Sequence, residues 1–289
     1  YALTVQRAVE RVWLPALSAV RERLDELAVE HRAAPMLSRT HGQPATPTTM
    51  GKEIAVFAAR LARVERAIEA SEYLGKFSGA TGTWAAHLAA DPDVDWPLVA
   101  REFVESLGIG FNPLTTQIES HDWQVELYDR ARHAGGILHN LATDIWTYIS
   151  LGYFTQIPLA GATGSSTMPH KINPIRVENA EAKLDNLRRG LDEIALAQDL
   201  LSADLEANWE VLGEAIQTVV RAEVVAGRST ISDPYALLKE LTRGRRVNAA
   251  GLAEFIRGLD IGEEARARLL TLTPATYTGL AMDLIDREA

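Results

Sequence analysis

YALTVQRAVERVWLPALSAVRERLDELAVEH, residues 1–31, decides how the rest of the chain is read. Apolar residues recur at Leu3, Val9, Val12, Leu14, Leu17, Val20, Leu24 and Leu27, which is the spacing of one helical face. Glycine is absent and Pro15 is the only helix breaker, so the stretch predicts one long helix with a kink at the proline. PATPTTMGKEIAVFAARLARVERAIEASEYL, residues 44–74, predicts a second, with Pro47 and the threonines near its start. A third is expected from about Ser120 to Tyr153 and a fourth from about Pro174 to Leu201. Helices of this length are stabilised by packing against one another, so the expected fold class is all-α, a bundle of long helices.

From about residue 206 the helical segments shorten, with SDPYALLKELTRGRRVNAAG and LTPATYTG supplying caps and breaks. The reading is a central long-helix domain over 1–205 and a small C-terminal helical domain over 206–289. No repeat, low-complexity tract or convincing strand pattern is visible.

Composition narrows the function classes. With 289 residues, 47% of them apolar, the chain can bury a large core. A formal net charge of -10 opposes binding to a nucleic-acid backbone or an anionic membrane. No apolar run approaches the roughly 20 residues of a membrane span. The absence of cysteine removes disulfides, thiol nucleophiles and thiolate metal sites, and fits a reducing, cytoplasmic setting. The chain opens with helical periodicity already running and without Met, which implies a start inside a longer protein.

Polar segments punctuate the rods at LSRTHGQPATP (37–47), GKFSGATGTWAAH (75–87), GFNPLTTQIESHD (110–122) and ATGSSTMPHKINP (162–174). Loops fixed on rigid elements are where chemistry concentrates. None of the seven histidines forms a helical i,i+4 pair, so a metal site is not expected, and neither the phosphate-loop nor the dinucleotide fingerprint is complete. His41 sits among Arg39, Thr40, Gly42 and Gln43, which leaves two readings, a turn or cap and an acid/base group. In the last segment, hydroxyls, Lys171 and Asn173 precede a helix starting near Pro174. Donors beside a helix N-terminus suit an anion, so the residues alone reach an acid/base site for a carboxylate and stop there.

GSSTMPHKINP resembles the signature loop of the fumarase/aspartase superfamily, and LSRTHGQPATPTTMGKE resembles the histidine-bearing segment of its adenylosuccinate lyase family. NPLTTQIESHD and TPATYTG extend the likeness along essentially the whole chain. The Met168-Pro169-His170-Lys171 spelling differs from the Pro-Gly-Lys of fumarases and the Pro-Gln-Lys of argininosuccinate lyases. The resemblance implies β-elimination of fumarate from adenylosuccinate, giving AMP, and from the succinocarboxamide aminoimidazole ribonucleotide, giving the carboxamide. It implies no metal or organic cofactor, and a homotetramer with sites shared between subunits.

By the same resemblance, Ser165 is the base, His41 the general acid and Glu178 the carboxylate that keeps His41 charged. Lys171 and Asn173 grip the succinyl carboxylates, Gln117 contacts a substrate amide, and Thr40 and Ser166 supply further hydroxyls. Considered by pKa alone, a histidine would be the preferred base, because a serine alkoxide is scarce near neutral pH. Glycines 161 and 164 would let the loop close over substrate.

Two departures from the family pattern stand out. An N-terminal domain with phosphate-binding and further catalytic residues would precede Tyr1. A helical hairpin would fall near 182–184, which implies that the flanking residues are joined across a segment this chain lacks. Another lyase of the superfamily, such as argininosuccinate lyase, a non-catalytic structural relative and a plain helical oligomerisation module remain the rival readings.

Overall fold

A computed structural model describes residues 1–157, 173–179, 184–242 and 247–288. The chain is mainly helical, as the periodicity predicts. Its first helical stretch runs without a break through α1 (Ala2–Ala8), a π-helical turn (Val9–Trp13) and α2 (Leu14–Glu30). The backbone N–H of Leu14 bonds to Val9 O, five residues back. Pro15 has no N–H and its ring crowds the carbonyl four residues earlier, so the widened turn just before it takes up the misfit.

A first correction follows. Residues 35–49, expected as loop and helix start, form an antiparallel hairpin of β1 (Pro35–Thr40) and β2 (Gln43–Thr49). α3 (Met50–Glu69) then begins directly from β2. β3 (Leu74–Gly75) leads to α4 (Ala85–Ala90), α5 (Trp96–Ser106) and β4 (Gly110–Phe111), which pairs parallel with β3. α6 (Asp122–Ser150) is the third expected long helix, followed by β5 (Phe154–Gln156).

A second correction concerns the fourth expected helix. The described part of that region is broken into α7 (Ile175–Glu178), α8 (Leu184–Asp192), β6 (Ile194–Leu196) and α9 (Gln198–Glu206), with β6 paired antiparallel to β5. A 3-10 turn (Trp209–Leu212), α10 (Gly213–Val225), α11 (Pro234–Thr242), α12 (Ala249–Arg257), α13 (Glu263–Leu270) and α14 (Asp283–Glu288) complete the described chain. The expected join, near 183, lies outside the described residues.

The long helices bury stripes at helical spacing: Leu17, Val20, Leu24 and Leu27 on α2, and Met50, Ile54, Phe57, Leu61, Val64 and Ile68 on α3. α6 buries Trp123, Leu127, Ala134, Ile137, Leu138, Leu141 and Ile145. Two compact units result, one of residues 1–23, 57–144 and 174–192, the other of 24–56, 145–173 and 193–289. In the first, the α3 stripe includes a carboxylate, Glu65, which accepts from Ser18 Oγ and from Arg21 Nε at 2.6 Å. A buried charge in such a stripe is tolerable because it is paired. In the second, Leu212, Ile216, Val220, Leu252, Ile256, Leu259, Ile261 and Leu269 belong to one core drawn entirely from the last third of the chain.

Candidate active site

The 35–49 hairpin explains how this sequence presents an imidazole. Thr40 pairs with Gln43, so His41 and Gly42 form a two-residue loop. Their φ values are 54° and 73°. Positive φ at both central positions is the type I′ turn whose twist matches that of the flanking strands. Glycine enters that conformation without penalty and histidine is among the few side chains enriched there. Both Thr40 and His41 are exposed at the tip.

The base of the hairpin is apolar and its middle is ionic. Leu37 is buried against Leu205 of α9 and Val211 of the 3-10 turn. Two residues on, the Arg39 guanidinium donates to Asp204 Oδ1 at 2.9 Å, lies 2.8 Å from Oδ2, and donates to the Tyr153 hydroxyl. Tyr153 in turn donates to Asp204. Burial would lower the Arg39 pKa, but Asp204 and Tyr153 hold it raised overall. Burial and the Asp204 carboxylate push the Tyr153 phenol up to about 12, so it stays protonated and donating. Reading by residue type missed this cluster, because Tyr153 and Asp204 lie 114 and 165 positions from Arg39.

In the other unit, the β3 and β4 pairing sets two of the polar segments side by side. Lys76 Nζ donates to the carbonyls of Gly79, Thr116 and Gln117 at 3.1, 2.9 and 2.7 Å. The Gln117 backbone is therefore anchored while its residue stays exposed. Gly82, at φ 77°, lies so close to the second loop that a Cβ there would sit 1.9 Å from Thr115 O. The loop closes on buried Glu119, which accepts from Asn112 Nδ2 at 3.0 Å, His121 N at 2.7 Å and Trp123 Nε1 at 3.2 Å. Burial pushes the Glu119 carboxyl up, but these donors outweigh it and its pKa is lowered. Like Lys76, Glu119 is a support that residue-type reasoning did not single out.

The remaining expected residues divide as follows. Asn173, half-buried, precedes α7, and Glu178 closes that helix, its side chain outside the described residues. Ser165, Ser166 and Lys171 also lie outside the described residues. Among the described residues no cluster of His, Asp and Glu could hold a metal ion, and no helix is long and apolar enough to cross a membrane.

Known proteins extend the picture. A family model described as Lyase matches residues 1–188, and one described as Adenylosuccinate lyase C-terminal matches 175–278. The fold is shared with the 3-carboxy-cis,cis-muconate lactonizing enzyme of Pseudomonas putida, at TM-score 0.72 and 20% identity over 99% of this chain and 72% of that one. It is shared likewise with a fumarate lyase from Mesorhizobium sp. BNC1, at TM-score 0.69 and 22% identity over 99% and 74%. Fold and family model thus define the class, a lyase built on long helices. The adenylosuccinate lyase of Escherichia coli K12 is 42% identical over 99% of this chain and 71% of its own length, and that of Vibrio cholerae is 40% identical over the same shares. The chain belongs to the adenylosuccinate lyase family.

Proposed function

We propose that the protein removes fumarate from adenylosuccinate, leaving AMP, and makes the same cleavage in the succinocarboxamide aminoimidazole ribonucleotide of purine biosynthesis. The observation that carries this reading is the 42% identity to an adenylosuccinate lyase across 99% of the chain.

Ser165 takes a proton from the succinyl Cβ. The electrons of that C–H bond move first onto the adjacent carboxylate and then become the fumarate double bond as the C–N bond breaks, and His41 gives its proton to the departing nitrogen. The intermediate carries negative charge on a carboxylate, so donors placed where that charge develops lower the barrier. Lys171, Asn173, Thr40 and Ser166 are the proposed donors, Glu178 keeps His41 protonated, and Gln117 holds a substrate amide.

The exposed tip position of His41 supports the acid role over a capping role, since its ring makes no hydrogen bond among the described residues. Exposed Val125, Tyr128 and Trp146 on α6 support burial in a homotetramer of shared sites. The alignment with the E. coli relative spans 329 residues against the 289 present here, which supports a segment that the relative has and this chain lacks, and its place near 182–184 rests on the motif resemblance. A cytoplasmic setting fits the absence of cysteine.

The test is to incubate the full-length protein with adenylosuccinate and, separately, with argininosuccinate, and to follow fumarate. Release from adenylosuccinate alone is expected. Release from argininosuccinate alone would move the chain to another lyase, and release from neither would make it a non-catalytic relative.

A further inference from the structure

We propose that Arg39 is a positioning residue for His41: clamped by Asp204 and Tyr153, its guanidinium sets where the hairpin tip points. The inference rests on the acid role proposed for His41. It starts from the weakness of the hairpin itself. β2 reads QPATPTT, and its prolines 44 and 47 stand opposite Arg39 and Leu37. Proline has no N–H, so β2 supplies no backbone donor at either position. Between them the register slips, at the one residue separating Leu37 from Arg39. Next to the tip, only Thr40 and Gln43 pair without a proline.

Apolar anchoring does not reach the tip either. It ends at Leu37, whose contacts are Leu205 and Val211, and Thr40 through Pro44 are exposed. Thr46 Oγ1 donates to Glu214 at 2.5 Å, but that bond is also exposed and sits lower on the second strand. Ser38 Oγ donates to Thr46 O across the slip, but that bond is exposed and lies within the hairpin. The side-chain tie nearest the tip that reaches other elements is Arg39, two residues before the imidazole. Its partners belong to separate elements: Tyr153, 3% exposed, lies between α6 and β5, and Asp204 lies within α9. Asn208 Nδ2 donates to the Asp204 carbonyl at 2.7 Å, tying that turn of the helix down.

The charged side chains are themselves shielded, Arg39 at 25% exposure and Asp204 at 21%. A guanidinium is a planar fork that can serve a carboxylate and a hydroxyl together, whereas an ammonium has no such fixed geometry. Removing the clamp leaves the tip free to pivot about Leu37. A misplacement of about 1 Å at a proton donor lowers turnover on the order of 100-fold.

The experiment uses the full-length enzyme with adenylosuccinate and a quantified stopped assay sensitive enough for slow variants. Arg39→Met, Arg39→Lys, Tyr153→Phe and His41→Asn are compared singly, and Arg39→Met is repeated in the His41→Asn background. Arg39→Met is expected to lower kcat about 10- to 100-fold with KM within a few fold, and Arg39→Lys to recover part of that. In the His41→Asn background it is expected to cause no further loss, because a residue acting through His41 has nothing left to position. Tyr153→Phe removes a single oxygen, so it reports on the clamp even if Arg39→Met does not fold; an intermediate kcat loss is expected. An undiminished kcat in both Arg39→Met and Tyr153→Phe overturns the inference, as does a full additional loss in the double variant, which is the signature of a merely structural role. An undiminished kcat in His41→Asn overturns the acid assignment itself, and the inference with it.

Discussion

His41 and Gly42 share one backbone property, a left-handed conformation with φ of 54° and 73°, and that pair of angles is what lets a two-residue loop turn the chain back on itself. The hairpin therefore places different demands on the backbone and on the side chain of residue 41. Asparagine tolerates positive φ, so His41→Asn is expected to keep the thermal midpoint close to wild type while removing the proton donor. His41→Val, β-branched in the same conformation, is expected to lose about 1–2 kcal/mol of stability as well. Thermal unfolding followed beside fumarate release separates the two effects.

The support of Gln117 gives a second expectation. With Lys76→Met, three carbonyls lose their shared donor, and with Gly82→Ala a methyl group meets Thr115 O while φ stays at 77°. Strain of this kind costs about 1–3 kcal/mol where the surroundings hold. Each variant is expected to raise KM for adenylosuccinate more than it lowers kcat, because Gln117 is read as a binding group. Steady-state kinetics checks this, and an unchanged KM in both would remove Gln117 from the site.

Acid sensitivity has a local source in the second unit. Glu223, buried, accepts from Arg228 Nη2 at 2.6 Å, Arg228 Nε at 3.0 Å and Gly262 N at 3.0 Å, and Arg228 first of all holds its pKa down at about 2. An unfolded Glu titrates near about 4.3. Between those values the unfolded chain binds the extra proton, so the contribution is full above about pH 4.3 and fades as pH falls toward about 2. Glu223→Gln should accordingly lower the thermal midpoint near neutral pH, with the gap to wild type closing as the solution is acidified. Midpoints measured across that range decide it, and a gap independent of pH would contradict the assignment.

How far these features were legible in the sequence depended on how local their causes are. The α2, α3 and α6 stripes are periodic within single helices and could be read directly. β2 could not, because QPATPTT has two prolines and no apolar alternation; it is a strand because β1 pairs with it across a type I′ turn. β6 was hidden inside a run that reads as helix, and pairing with β5, about 40 residues earlier, decides it. His41 was visible as a polar residue in polar surroundings, whereas Arg39 with Asp204, and Lys76 with Gln117, are products of tertiary contact alone. Residues 158–172, which carry Ser165, Ser166 and Lys171, rest on motif resemblance.

The most direct measurement is fumarate formation from adenylosuccinate by the full-length enzyme and by its Ser165→Ala variant, with substrate binding to each measured independently. The account predicts fumarate and AMP in equal amounts from the wild type, and a variant that binds the substrate but forms both at least about 1000-fold more slowly, within the range that loss of an acid/base group produces. Product release by Ser165→Ala at the wild-type rate, or no fumarate from the wild type, would contradict it.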